Sequence, residues 1–176
     1  YKDMFLDDSL NVVPNKSWST SWAAGVPGSV AGFGMAHEKF GSLPWWQLVN
    51  PAIDLAQRGY KLDIVNYSNL NSNYYSSYLK RDKEARKIFT KDVGYFELGE
   101  TFIQKDLART LRRISRLGYR EFYAGKTAEM IVKCMERTGG LITKEDLEQY
   151  EPVLRDPISF DYRGYQIHSM PPASSG

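Results

Sequence analysis

Two histidines, one cysteine, two acidic pairs, a glycine-rich turn and one basic run are the groups of this 176-residue chain that could do chemistry. His37 and His168 could each act as a general base or a metal ligand. They stand far apart in sequence and neither has an obvious triad partner, so both read as solvated or locally bonded imidazoles. Cys134 lies beside the apolar face of its helix, between Met130 and Met135. Packing accounts for it, because a reactive thiol wants a setting that lowers its pKa. A metal ion wants clustered ligands, whereas Asp7-Asp8 and Glu145-Asp146 are only adjacent pairs. Helical neighbours point about 100° apart, so the second pair is badly placed to share an ion. No metal site and no cofactor are expected.

The segment Gly25-Val26-Pro27-Gly28-Ser29-Val30-Ala31-Gly32 opens a helix, and free N–H groups at a helix start can hold an anion. It contains neither GxxxxGK[ST] nor a complete GxGxxG, and Pro27 removes one donor. It reads as a tight turn followed by close helix packing at Gly32 and Gly34. Lys105, Arg109, Arg112, Arg113, Arg116 and Arg120 fall within about 100° of one helical wheel, opposite an apolar stripe. Such a face attracts nucleic acid or anionic lipid. Its apolar side lacks Trp and Phe, so it reads as a solvated face, with a charged docking surface as the alternative.

The elements that must position these groups follow from local pattern. Hydrophobic residues make up 42% and charged residues 25%, which excludes a wholly disordered or collagen-like chain. The length suits one domain of about 150 residues. A net charge of +2 gives no bulk signal for nucleic acid. No apolar run approaches the ~18 residues of a membrane span. One cysteine excludes an internal disulfide and a cysteine-rich zinc site. Twelve Tyr, eight Phe and four Trp are core or interface material. Both ends read as cut, which makes the chain a piece of a longer protein.

Residues 7–22 read as a loop. Ser29 can cap a helix to about Phe40, stopped by Gly41. Pro44 opens a short helix over Trp45–Val49, and Pro51 separates it from another over Ala52–Arg58. Asp63 caps a tyrosine-rich helix to about Lys80, and Asp82 caps one through Phe89. Gly94 to Thr101 is loop with a candidate strand. Gln104–Leu117 carries Leu107, Leu111, Ile114 and Leu117 at helical spacing. Lys126–Thr138 repeats the pattern with Ala128, Ile131, Val132 and Met135 before Gly139-Gly140. Thr143-x-x-Asp146 starts a short helix ending near Tyr150. Ile158, Phe160 and Tyr162, then Tyr165 and Ile167, alternate with polar residues around Arg163-Gly164, which predicts a hairpin. The fold class is α+β: helices over about 29–150, then a hairpin over about 157–170.

Several motifs, in order along the chain, resemble the gamma-glutamyltranspeptidase family, in the large-subunit part of its precursor. They begin with Asp3-Met4-Phe5-Leu6-Asp7 and Ala24-Gly25-Val26-Pro27-Gly28-Ser29-Val30-Ala31-Gly32. Lys39-Phe40-Gly41 and Pro51-Ala52-Ile53-Asp54-Leu55-Ala56 follow. Next come Gln104-Lys105-Asp106-Leu107-Ala108 and Phe122-Tyr123-Ala124-Gly125. The series ends with Gly139-Gly140-Leu141-Ile142-Thr143-Lys144-Glu145-Asp146-Leu147, Tyr162-Arg163-Gly164-Tyr165 and Pro171-Pro172-Ala173-Ser174-Ser175-Gly176. Each is weak alone; their order and spacing are specific.

The resemblance implies an N-terminal-nucleophile hydrolase with an αββα sandwich, of which residues 1–176 form a partial large-subunit region. The precursor cuts itself, and the new N-terminal threonine of the small subunit attacks gamma-glutamyl amides such as glutathione. The gamma-glutamyl group then passes to water, an amino acid or a peptide. That threonine lies beyond Gly176, and the substrate-gripping arginine lies before the position matching Tyr1. No catalytic, substrate-binding or metal residue is therefore carried over to this chain. The Val26–Gly28 turn and the Pro171–Gly176 loop are candidates for the neighbourhood of the cleft. The partners implied are the small subunit and a gamma-glutamyl substrate, with no nucleic acid and no membrane span. Bacterial members imply a periplasmic or extracellular location. A cephalosporin acylase-like or poly-gamma-glutamate-processing relative would share the scaffold; a basic helical binding module is the non-enzymatic alternative. With most strands elsewhere, the apolar face of the hairpin should be exposed or hidden by self-association.

Overall fold

The computed structural model describes residues 3–172. Near its start, the Asp7 carboxylate accepts the N–H groups of Ser9 and Asn11, each at 2.9 Å, beside a bridge between Leu6 and Val12. The backbone N–H of Asn11 is the main reason the Asp7 carboxyl lies below the usual range. The expected 7–22 loop contains a single helical turn, α1 (Lys16–Ser19), and a 3-10 turn over Ser21–Ala23. Thr20 caps the latter through Trp22 N–H.

Helix α2 (Ser29–Phe40) is followed by α3 (Trp45–Arg58), a single helix with Pro51 inside it. The expected break at Pro51 does not occur. Proline costs one helical hydrogen bond and a clash, but α3 is held by packing of Ile53 and Ala56 into the core. Strand β1 (Tyr60–Lys61) and helices α4 (Ile64–Asn71), α5 (Asn73–Leu79) and α6 (Lys83–Phe89) come next. Asp63 and Asp82 cap α4 and α6 as expected.

The tyrosine-rich helix is two helices, broken at an extended Ser72. A distant contact accompanies the break: the Asn71 amide both donates to and accepts from the Phe96 backbone, each at 2.9 Å. Strand β2 (Thr101–Phe102) pairs antiparallel with β1, which sequence periodicity did not reveal. Two residues are too few to show alternation.

Helix α7 (Lys105–Leu117) runs antiparallel to α3 as the most extensive helix pair. Trp45 Nε1 donates to the Ile114 carbonyl at 2.9 Å at one end, and Gln104 N–H donates to the Ala56 carbonyl at 2.9 Å at the other. The buried stripe of α7 is Ala108, Ile114 and Ser115, while Leu107 and Leu117 stay exposed. The stripe has rotated toward small residues that let α3 approach.

Then come α8 (Glu121–Ala124), which was not expected, α9 (Lys126–Thr138) and α10 (Lys144–Glu148). Thr143 and Asp146 form a reciprocal capping box at α10. Strands β3 (Ile158–Tyr162) and β4 (Tyr165–Ser169) pair in the expected register, Phe160 opposite Ile167. Arg163 and Gly164 both have positive φ, 50° and 80°, the backbone of a type I′ turn.

One core joins Ala31, Tyr123, Ala128, Ile142 and Leu147, with Ile131, Val132, Met135 and Tyr150 against it. Leu62 and Phe102 are also buried, with Phe89 and Phe96 against the Phe102 ring.

Candidate functional site

The glycine-rich turn is filled from within the chain. Gly28 is the N-cap of α2 and no side chain caps the helix; Ser29 is its first residue. Tyr123, from α8, reaches in instead. Its hydroxyl accepts the Ala31 N–H at 3.0 Å and donates to the Pro27 carbonyl at 2.5 Å. The ring stacks on Tyr150 at 5.5 Å. The side chain is buried, which raises the phenol pKa above its ordinary value. The helix start that could have held an anion is therefore occupied by a tyrosine. Close approach falls at Gly28 and Gly34, where a Cβ would collide with Tyr150 and Tyr119. It does not fall at Gly32, which faces open space.

The basic run is not a uniform solvated face. Arg113 turns inward to Glu121, whose side chain is only 1% exposed, with Nε to Oε1 at 3.1 Å. The same carboxylate accepts the Thr127 N–H at 3.0 Å and the Thr127 hydroxyl at 2.7 Å, closing the first turn of α9. Arg113 also donates to Thr110 and Thr127. A buried carboxylate needs this full set of partners. Arg109 pairs with Asp106, Arg112 donates to Gln57, and Arg120, which lies beyond α7, pairs with Glu151. Ion pairing thus engages three of the six cations that suggested a docking surface, Arg109, Arg113 and Arg120.

The histidines are locally bonded. His37 Nε2 lies 2.8 Å from the Leu43 carbonyl, with its ring 5.3 Å from Trp45. His168 Nδ1 lies 2.8 Å from Ser159 Oγ, directly across the hairpin. That serine–histidine pair is exposed on the polar face of an open ribbon, where it is a cross-strand bond and not an enclosed site. Cys134 is half-buried, with Arg137 Nη2 at 3.5 Å from its sulfur. Asp146 is spent on its capping box, and the Thr143 backbone N–H is the main reason its carboxyl lies below the usual range. Ala173–Gly176 lie outside the described residues.

Two large apolar surfaces stay open. On the hairpin, Ile158, Phe160, Tyr162 and Tyr165 are exposed and Ile167 half-buried, all on one face, as expected. On the helices, a groove of about 570 Å³ runs between α2, α3 and α7, lined by Phe33, Phe40, Trp45, Leu48, Leu111 and Ile114 among others. Phe40 is 78% exposed.

The sequence model of the family described as Gamma-glutamyltranspeptidase matches residues 1–176, the whole chain. The chain belongs to the gamma-glutamyltranspeptidase family. It is 45% identical over 175 residues to the glutathione hydrolase proenzyme of Escherichia coli K12, covering 99% of this chain but 30% of that relative. The crystal structure of Helicobacter pylori gamma-glutamyltranspeptidase superposes with a TM-score of 0.92 at 43% identity, over 99% of this chain and 50% of that one. A cephalosporin acylase from Bacillus halodurans superposes at 0.63 and 30% identity, over 84% of this chain and 29% of its own. The chain thus spans less than a third of the curated relative it matches.

The gamma-glutamyltranspeptidase motifs hold structural posts in this region. Ala24–Gly32 makes the turn and helix start that Tyr123 clamps, Phe122–Gly125 supplies that tyrosine, and Gly139–Leu147 makes the α9 stop and the capping box. The residue that sequence reasoning missed is Glu121. Its signal was faint: one acidic residue just before Phe122-Tyr123, with Thr127 six positions on.

Proposed function

We propose that residues 1–176 are a partial large-subunit region of a gamma-glutamyltransferase or hydrolase, and that they supply scaffold and not reacting atoms. The whole protein cleaves gamma-glutamyl amides such as glutathione and passes the gamma-glutamyl group to water, amino acids or peptides. The nucleophile is an N-terminal threonine on the small subunit, freed when the precursor cuts itself, with its own amine as base. Backbone N–H groups hold the oxyanion. The small subunit of the same precursor is the partner, and the whole is secreted to the periplasm or beyond.

The observation that carries this reading is the superposition at 0.92 on half of a gamma-glutamyltranspeptidase chain. The cephalosporin acylase shares the scaffold of this region at a TM-score of 0.63. The open hairpin and helical groove support an intimate partner, since exposed apolar area of this kind marks interaction surfaces. Among the described residues, no helix is long and apolar enough to cross a membrane.

The test is maturation of the full-length precursor. It should yield two chains, and replacing the threonine of its Thr-Thr-His-like segment beyond Gly176 should abolish both cleavage and gamma-glutamyl-p-nitroanilide turnover. A precursor that stays one chain and still turns over this substrate would overturn the reading.

A further inference from the structure

A second groove, of about 590 Å³, lies where α1 meets the α4–α5 pair, away from Tyr123 and from the hairpin. Four aromatic rings line it in sequence. Trp18 and Tyr78 have ring centroids 5.6 Å apart, Tyr78 and Tyr74 5.3 Å, and Tyr74 and Tyr75 5.3 Å, each pair tilted or edge-on. Leu70, Tyr78 and Leu79 are half-buried and form the floor; Trp18, Tyr74 and Tyr75 are exposed walls. Asn66 and Asn69 complete the lining, which contains no charged side chain. Among the described residues, none hydrogen-bonds the Trp18 indole N–H, the Tyr74, Tyr75 and Tyr78 hydroxyls or the Asn69 amide.

We propose that this groove binds a glycan chain. The proposal is independent of the reading of the parent enzyme. A sugar ring has an apolar C–H face and a rim of hydroxyls. The groove offers the complement: rings for the faces, with unspent indole, phenol and amide groups to bond the hydroxyls. Charge decides against an organic cation, the other usual guest of clustered rings. The cations beside the groove are the chain's own: Arg81 sits over the Tyr78 ring at 4.7 Å, and Lys16, on the same turn as Trp18, sits over Trp22 at 3.8 Å. They would repel a cationic guest and tolerate a neutral one.

The test is calorimetric titration of the full-length protein with chitohexaose and with maltohexaose. Saturable binding of at least one is expected, in the millimolar range typical of a shallow open site. Tyr75→Ala and Trp18→Ala should each weaken it at least tenfold, while Val93→Ser, at an exposed position outside the groove, leaves it unchanged. Tyr75 is exposed, so its variant should keep the parent melting temperature even if Trp18→Ala does not. Three results would overturn the proposal: no saturable binding of either oligosaccharide, binding indifferent to Tyr75→Ala, or binding only to vesicles of anionic lipid.

Discussion

Tyr123 and Phe160 are both aromatic residues on regular elements of one chain, yet the first is 1% exposed and the second 50%. Around Tyr123, every polar atom that went inside found a partner from another element: Ala31 N–H, the Pro27 carbonyl, and nearby the Glu121, Thr127 and Arg113 set. Around Phe160, the ribbon has a well-made register and a clean apolar face with little to cover it. Two-stranded ribbons are marginal in water. The contrast teaches that the helical core is closed within these residues, whereas the ribbon leaves its apolar face open.

The sharpest way to break the contrast is to truncate one aromatic in each region. Tyr123→Ala should lower the unfolding free energy in urea by about 3–5 kcal/mol, the usual cost of emptying a large core site. An equal loss from the hairpin would mean that it too belongs to the finished core. Next in size, Arg113→Met leaves the buried Glu121 carboxylate without its cation and should cost about 3 kcal/mol. Adding Glu121→Gln should recover part of that in the same melts, because the amide removes the unpaired charge and keeps an oxygen to accept from Thr127.

Tyr123→Phe keeps the ring and removes both hydrogen bonds, so about 1–2 kcal/mol should go. It also carries a pH signature. Burial raises the Tyr123 pKa in the folded state, so the native form holds its proton more tightly than the unfolded one. The stability this gives is intact below about pH 10 and falls as pH rises from there through the folded value. Urea midpoints measured across that window should slope downward for the parent and less so for Tyr123→Phe. The smallest effect belongs to the ribbon: Tyr165→Ser should change the stability of this chain by less than about 0.5 kcal/mol. In the full-length protein the same change should impair maturation or subunit association, read by gel filtration.

What the sequence made legible was local. The ribbon announced itself by period two, α7 and α9 by the helical period, and α4, α6 and α10 by Asp63, Asp82 and Thr143 at their starts. What it hid was carried by partners distant in the chain. The break at Ser72 goes with an amide reaching from Asn71 to Phe96, and the continuity of α3 through Pro51 goes with α7 packed along it. Arg113 looked like one of a row of surface cations because nothing on its own helix shows that Glu121 waits across the turn. The family was legible through ordered motifs. Those motifs mark turns, caps and core contacts here, so they identify the scaffold without placing any reacting group on it.

The most direct test of that division is turnover of gamma-glutamyl-p-nitroanilide by residues 1–176 alone, beside the full-length protein at equal molarity. The account predicts release of p-nitroaniline by the processed full-length enzyme and none above the uncatalysed rate by the shorter chain. Turnover by the shorter chain that persists through purification would contradict it, because a complete nucleophile and base would then have to lie within these residues.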